Sequence, residues 1–266
     1  MLTLTVLGCD GSHAGAGGGP HPRPAGAGSG AGSGYLVRWW PEPTAVWVDA
    51  GPGTFAALQR ACDPRRLDAV VLTHRHLDHC TDLAGFVTAA RWVWGWDRQP
   101  LPVFAAAGVR DALADVVGEA LAAGGRSGRP VLAWHEVGDG DSAAVGPVTV
   151  RFAATDHGPP TVAVRLAVGG RALGYSADTG PAWPLAALGH DLDLALCEAS
   201  YTHEHEGTAQ HMSGRQAGAA ARAAGARRLV VTHRWPSVDP HALLEEAAAA
   251  FGGPVDAAVA GRGFSL

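Results

Sequence analysis

The sequence predicts an α/β protein whose sheets are covered by helices, and two observations carry that reading. Short apolar or β-branched runs ending in Gly, Asp or Thr recur along the chain, and Ala/Leu-rich helical stretches separate some of them. With 266 residues, 47% of them hydrophobic, the chain can bury a full core, which excludes disorder of the whole.

Taken in order, "LTLTVL" at 2–7 opens the chain as a strand, and further strands are expected at 35–40, 45–48 and 69–72. A second group follows at 148–153, 162–168, 172–175, 192–197, 228–231 and 255–259. Helices are expected at 54–61, 82–91, 109–121, 214–224 and 240–250, where Ala and Leu dominate. Residues 14–34, "AGAGGGPHPRPAGAGSGAGSG", interrupt the first two strands. Gly, Ala, Pro and Ser cannot bury enough apolar area to offset ordering entropy, so this insertion reads as a mobile loop in a single domain spanning 1–266. Its length leaves two roles open, a lid over a site or a functionless expansion.

The formal charge of −5 argues against a broad electrostatic surface for nucleic acid, although a local basic patch can hide within that average. Met1 leads straight into a strand-like run with no basic leader, and no apolar segment reaches membrane-spanning length, so a soluble, cytoplasmic protein without membrane contact is expected. Cys9, Cys62, Cys80 and Cys197 form no CxxC pair and read as reduced, mostly buried thiols.

Of the 13 histidines, three fall with an aspartate inside "LTHRHLDHC": His74, His76 and His79, with Asp78 between them. The alternation H-x-H-x-D-H lets the side chains at 74, 76 and 78 converge as the backbone leaves a strand ending at Thr73. So dense a polar cluster is costly to bury unless each group finds a partner, and a divalent cation satisfies them together. Imidazoles with a carboxylate suit zinc, and manganese or iron(II) share such ligands. At long range "TDHGPP" (His157), "YSADTG" (Asp178) and "VVTHRWP" (His233) follow, each at the end of an expected strand.

In this order of motifs the sequence resembles the metallo-β-lactamase superfamily, and within it the ribonuclease Z and phosphodiesterase branch. "LTVLGCDGS", "SGYLV", "VWVDAGPG" and "HMSGRQAG" extend the resemblance almost end to end. It implies an αββα sandwich, two mixed sheets face to face with helices outside, and a dinuclear metal site at one edge. Carried over by position, it implies a first ion on His74, His76 and His157, a second on Asp78, His79 and His233, and Asp178 as the bridge. His211 matches the family's non-ligand histidine, which donates a proton to the leaving group or holds an anionic oxygen; with Asp78 it makes up the catalytic set. Asp49 resembles a carboxylate that orients the metal-bound histidines from beneath. His203 and His205 read as solvated loop residues.

Some positions depart from the family pattern. Ala177 stands where Gly usually precedes the bridging Asp, and Arg234 and Trp235 occupy places where smaller or apolar residues are common; both are expected to face the pocket. Trp92, Trp94 and Trp96 alternate in "ARWVWGWD": extended, they share one face as an aromatic wall or a dimer contact; helical, Trp92 pairs with Trp96 while Trp94 points elsewhere. Simple core packing is the plainer alternative.

The resemblance thus implies a dinuclear metal-dependent hydrolase of phosphodiester bonds in a small molecule or nucleotide, acting through a metal-bridging hydroxide. The alternatives are hydrolysis of a thioester, lactone or amide on the same centre, a di-iron redox enzyme, or a non-catalytic metal-stabilised binding protein. A homodimer is compatible with the sequence. Transfer RNA is not an expected substrate: ribonuclease Z grips it with an arm between its third metal histidine and the bridging aspartate, whereas His157 and Asp178 leave room here for two strands and a Gly169-Gly170 turn.

Overall fold

A computed structural model describes residues 1–13, 31–117 and 130–266. Fourteen strands lie among them in two seven-stranded sheets. The first sheet contains β1 (Leu2–Gly8), β2 (Gly34–Trp39), β3 (Thr44–Val48), β4 (Ala69–Leu72), β5 (Leu101–Ala105), β6 (Leu132–Glu136) and β14 (Gly263–Ser265), in the order β14-β1-β2-β3-β4-β5-β6. The second runs β13 (Val255–Ala257), β12 (Leu229–Thr232), β11 (Leu194–Glu198), β10 (Arg171–Tyr175), β9 (Val162–Val168), β8 (Val148–Ala154) and β7 (Ser142–Val145). Both sheets are mixed: β14 through β3 and β7 through β10 pair antiparallel, while β3 through β6 and β10 through β13 pair parallel.

The side-chain pattern explains this division. Along β8, Val148, Val150 and Phe152 are buried while Thr149 and Arg151 are exposed, the alternation of a strand with one wet face. In contrast "AVVL" of β4, "LALCE" of β11 and "LVVT" of β12 are buried throughout, as parallel strands under helices must be. Helix α1 (Thr54–Ala61) packs on β1 and β2, and α5 (Gly214–Ala223) and α6 (Pro240–Phe251) cover β11 to β13. Between the sheets, Tyr35 of β2 meets Tyr175 of β10 edge to face, with ring centres 5.0 Å apart. The arrangement is the expected αββα sandwich, and the short helices α2 (Leu77–Cys80), α3 (Leu83–Thr88) and α4 (Val109–Val117) complete the first half.

Four strands escape a sequence reading for identifiable reasons. Pro102 inside β5 argues against a central strand, yet Pro102 pairs with Ala133 in the parallel ladder. β7 is built of small residues, β6 is an edge strand exposed at its end, and β14 is three residues long. The expected helix at 82–91 divides into α3 and a π-helical turn, Ala89–Trp94. That turn overturns both arrangements of the tryptophans: Trp92 is exposed, while Trp94 and Trp96 both pack on Phe86, with ring centres 5.7 Å away. The last residues of the expected helix at 109–121, and most of the insertion at 14–34, lie outside the described residues. No helix among those described is long and apolar enough to cross a membrane. None of the four cysteines forms a disulfide, and Cys9, Cys80 and Cys197 are buried.

Helices α5 and α6 cross closely because Gly218 has no side chain; a Cβ there would come within 2.3 Å of the Ala247 carbonyl oxygen. Gly218→Ala is therefore expected to force the helices apart and cost about 1–3 kcal/mol, read as a lower denaturant midpoint with an unchanged m-value.

Candidate metal centre

Strand ends from both sheets meet at one edge. β4 ends at Leu72 and delivers Thr73 and His74, and the single turn of α2 then presents Asp78 and His79, with His76 as its N-cap. From the second sheet, β8 leads to His157, β10 to Asp178 and β12 to His233. Close backbone packing holds α2 in place: Ser33 N–H donates to the Asp78 carbonyl (2.9 Å) and Ala50 N–H to that of His79 (2.6 Å). Gly51 makes this approach possible, since a Cβ there would fall 1.9 Å from the Asp78 carbonyl oxygen.

The seven side chains picked out in the sequence come together in two groups. His74, His76, His157 and Asp178 bring one ligand atom each within 4.8 Å of one another, and so do Asp78, His79 and His233. In the first group His74 Nε2 lies 3.0 Å from His76 Nδ1 and 3.5 Å from Asp178 Oδ2, and His157 Nε2 lies 3.4 Å from His76 Nδ1. In the second, Asp78 Oδ2 is 3.4 Å from His233 Nε2 and 3.7 Å from His79 Nε2. Asp178 spans both: Oδ1 is 3.3 Å from His79 Nε2, and Oδ2 is 3.3 Å from His233 Nε2. A tetrahedral ion with bonds near 2.05 Å sets its ligands about 3.3 Å apart, so the spacings fit two such ions.

The hydrogen bonds behind the rings agree. His74 Nδ1 is 3.0 Å from Thr73 Oγ1, whose hydroxyl donates to Asp49 Oδ2 (2.9 Å). His79 Nδ1 donates to Asp49 Oδ2 (2.7 Å), and His157 Nδ1 to the Gln210 carbonyl (3.2 Å). His233 Nδ1 lies 3.0 Å from Ser200 Oγ, which donates to Glu198 Oε2 (2.8 Å). With the outer nitrogens occupied as donors, each of these four imidazoles turns an Nε2 lone pair inward. His79 Nε2, His233 Nε2 and Asp178 Oδ1 are buried without a hydrogen-bond partner, an arrangement that a cation satisfies and a packed core does not. Burial pushes His74, His76 and His157 below the usual histidine range, which keeps them neutral and able to ligate. For Asp178, burial works upward, but His233, His79 and His74 hold the carboxyl well below its ordinary range.

Asp49 sits beneath α2, fully buried, as the sequence suggests. It accepts from Thr73 N–H (2.8 Å), from the Thr73 hydroxyl and His79, and from Tyr175 OH (2.9 Å) across the sandwich. Glu198 is its counterpart in the second half, and sequence reasoning missed it. This carboxylate ends the otherwise apolar β11 and accepts from Thr179 N–H (2.6 Å), Met212 N–H (3.2 Å), Ser200 and His211 Nδ1 (3.0 Å). The available signal was an acidic residue in "LALCEAS" at a position buried on both faces.

His211 stands beside the centre, its ring 5.2 Å from those of both His157 and His233. Burial alone would lower its pKa, but Glu198 raises it to about 9. It does not cap the following helix; Ser213 does, in a capping box with Gln216. Trp235 reaches the site edge, with ring centres 5.9 Å from His211. Arg234 instead donates to the carbonyls of Trp235 and Val238 and braces their loop. His203 pairs with Glu246 (2.6 Å) on the surface, away from the ligand set. His205 is exposed in the same short turn. The Cys80 thiol, pushed up to about 12 by burial, joins no ligand group.

The backbone is left-handed at Asp49 (φ 55°), Ala177 (φ 52°) and His233 (φ 59°). At 177 this explains the usual glycine: the fold needs positive φ there, and alanine adopts it at a cost of roughly 1–2 kcal/mol.

A model described as a beta-lactamase superfamily domain matches residues 44–234. An uncharacterized protein of Mycobacterium tuberculosis is 33% identical over 267 residues, covering 99% of this chain and 92% of that protein. Ribonuclease Z of Mycobacterium bovis is 31% identical over 222 residues, 73% of this chain and 76% of the enzyme. The crystal structure of the metallo-beta-lactamase fold protein YhfI from Bacillus subtilis superposes with a TM-score of 0.82 at 25% identity, covering 99% and 98% of the two chains.

Because Asp49 orients one ring of each ligand group, His79 directly and His74 through Thr73, Asp49→Asn is expected to weaken divalent-ion binding at both groups about 10- to 100-fold while the sandwich still forms. Metal titration followed by circular dichroism checks both halves of that statement.

Proposed function

We propose that this chain, which belongs to the metallo-β-lactamase superfamily, is a dinuclear metallo-hydrolase that cleaves phosphodiester bonds in a small molecule or nucleotide, with zinc as its resident ion in the cytoplasm. The observation that supports it best is that Asp178 belongs to the group of His74, His76 and His157 and also lies 3.3 Å from His79 and from His233, with His211 close to both Asp178 and His233. Two divalent ions held there would supply a water nucleophile at neutral pH and Lewis-acid polarisation of the phosphoryl group. Histidine-rich donor sets of this kind favour zinc.

The chain's own groups do the rest. His74, His76 and His157 would hold one ion and Asp78, His79 and His233 the other, with the Asp178 carboxylate within reach of both groups. Glu198 holds His211 by Nδ1, which leaves Nε2 to present a proton to a departing oxygen. Trp235 bounds the side of the site next to His211 and limits the group that can leave there.

A folded RNA fits this reading poorly, although one relative is named ribonuclease Z. Between His157 and Asp178 the chain forms only β9, the Gly169–Gly170 turn and β10, and it carries five more acidic than basic residues. Chromogenic bis-aryl phosphate and cyclic nucleotide substrates, run beside a thioester, a lactone and a precursor tRNA, test the assignment. Turnover of the phosphodiesters alone supports it, and preferred cleavage of any other member of the panel overturns it.

Purified protein is expected to hold close to two ions per chain by elemental analysis. Asp178→Ala should lose at least one; full metal content in that variant would remove the bridge assignment. His211→Ala should keep its metals and lose roughly two to four orders of magnitude in turnover. The loss should be smaller for substrates with good leaving groups; an equal loss for good and poor leaving groups would make His211 a positioning residue.

A further inference from the structure

At the opposite end of β3 from Asp49, roughly 16 Å along the strand, lies a cleft of about 870 Å³ that no part of the proposed catalysis uses. Arg38, Arg65, Arg66 and Arg98 line it against only two carboxylates, Asp63 and Asp68, so a chain of net charge −5 has a positively charged hollow there. Both carboxylates are already engaged. Asp63 takes the Arg65 guanidinium in a two-pronged pair (2.9 and 2.8 Å), and Asp68 accepts from Ala45 N–H (2.8 Å). Arg38, Arg66 and Arg98 have no carboxylate partner among the described residues. Arg38 Nε is buried without a hydrogen-bond acceptor, and the same residue also lines an adjoining cleft of about 480 Å³.

Two tryptophans stand in the wall. Trp39 packs on the β9–β10 turn so closely that a Cβ at Gly169 would come within 2.8 Å of its ring. Trp40 is 45% exposed and offers its ring to solvent at the mouth. Guanidinium groups without a carboxylate partner, of which that of Arg98 lies 5.7 Å from the Trp96 ring centre, beside an exposed indole recognise a ligand that is anionic at one end and flat and aromatic at the other.

We propose that this cleft binds a nucleoside phosphate, the base stacked on Trp40 and the phosphate held among Arg38, Arg66 and Arg98. The volume accommodates one such ligand. The excess of positive charge is local and small, which favours a single nucleotide over a polynucleotide, whose grip needs many phosphate contacts. The site is separate from the metal centre and does not depend on the reaction assigned to it.

The test is calorimetric titration of AMP into the metal-replete full-length protein and into Arg66→Gln, Arg98→Gln and Trp40→Ala. All three side chains are exposed, so the variants should fold. AMP is expected to bind the parent protein, each arginine variant about tenfold more weakly, and Trp40→Ala at least fivefold more weakly. Turnover of a bis-aryl phosphate should be unchanged in all three. Adenosine and inorganic phosphate should each bind far more weakly than AMP. Three results would overturn the proposal: no AMP binding at millimolar concentration, AMP binding that disappears on chelation and ignores the three substitutions, or affinity for oligoadenylates that climbs with length and falls steeply with salt.

Discussion

A histidine holds a cation through a lone pair, so its other nitrogen must give a proton to something, and the architecture of this protein is organised around where those protons go. Asp49 receives them from His79 and, through Thr73, from His74. Glu198 receives that of His233 through Ser200 and that of His211 directly. Both carboxylates are fully buried at the ends of strands, one in each sheet. Each stays there only because several donors converge on it, Tyr175 and Thr73 on Asp49, and Thr179 and Met212 on Glu198.

The strands matter to the site through that requirement. β3 and β4 are parallel neighbours, so Asp49 and Thr73 leave the sheet side by side and the short turn of α2 can lie over them. β11 and β12 repeat the device, placing Glu198 and Ser200 next to His233. The left-handed backbone at Asp49, Ala177 and His233 follows from the same demand: the chain turns sharply at each strand end to aim a side chain inward.

Much of this was legible in the sequence because ligands are chemically conspicuous. His74, His76, Asp78 and His79 sit close together, and His157, Asp178 and His233 each follow an apolar strand, so motif order and the family resemblance it carries picked out seven side chains that the fold brings together. Asp49 was legible from its "DAG" setting. Glu198 was not, because a single acid inside "LALCEAS" looks like a strand end, and only the fold shows three elements pointing donors at it. Tyr175 and Ser200 were invisible for the same reason: each acts across a contact that joins residues far apart in the chain. In the Trp92–Trp96 segment, core packing, the plainer alternative, holds for Trp94 and Trp96, while the two shared-face arrangements do not. Alternation suggested a shared face, but a π-helical turn has its own period and separates Trp92 from the other two. β5 was hidden by Pro102, whose missing N–H the parallel ladder tolerates.

The division of the ligands between the sheets has a thermodynamic consequence. Each group draws residues from both halves of the sandwich: His74 and His76 with His157 in one, Asp78 and His79 with His233 in the other. An ion in either place would therefore be a further cross-link between two layers that are also joined by apolar packing, buried hydroxyls and backbone hydrogen bonds such as Val162 N–H to the Thr73 carbonyl and His233 N–H to that of Cys9. Because only the assembled sandwich offers the full set, ion binding and cohesion of the layers are linked functions. Above its dissociation constant, every tenfold rise in free ion adds about 1.4 kcal/mol per site to the folded state. With ions held there, the durability of the protein would be set in part by the metal supply around it, and scarcity of the ion would loosen the scaffold as well as empty the site.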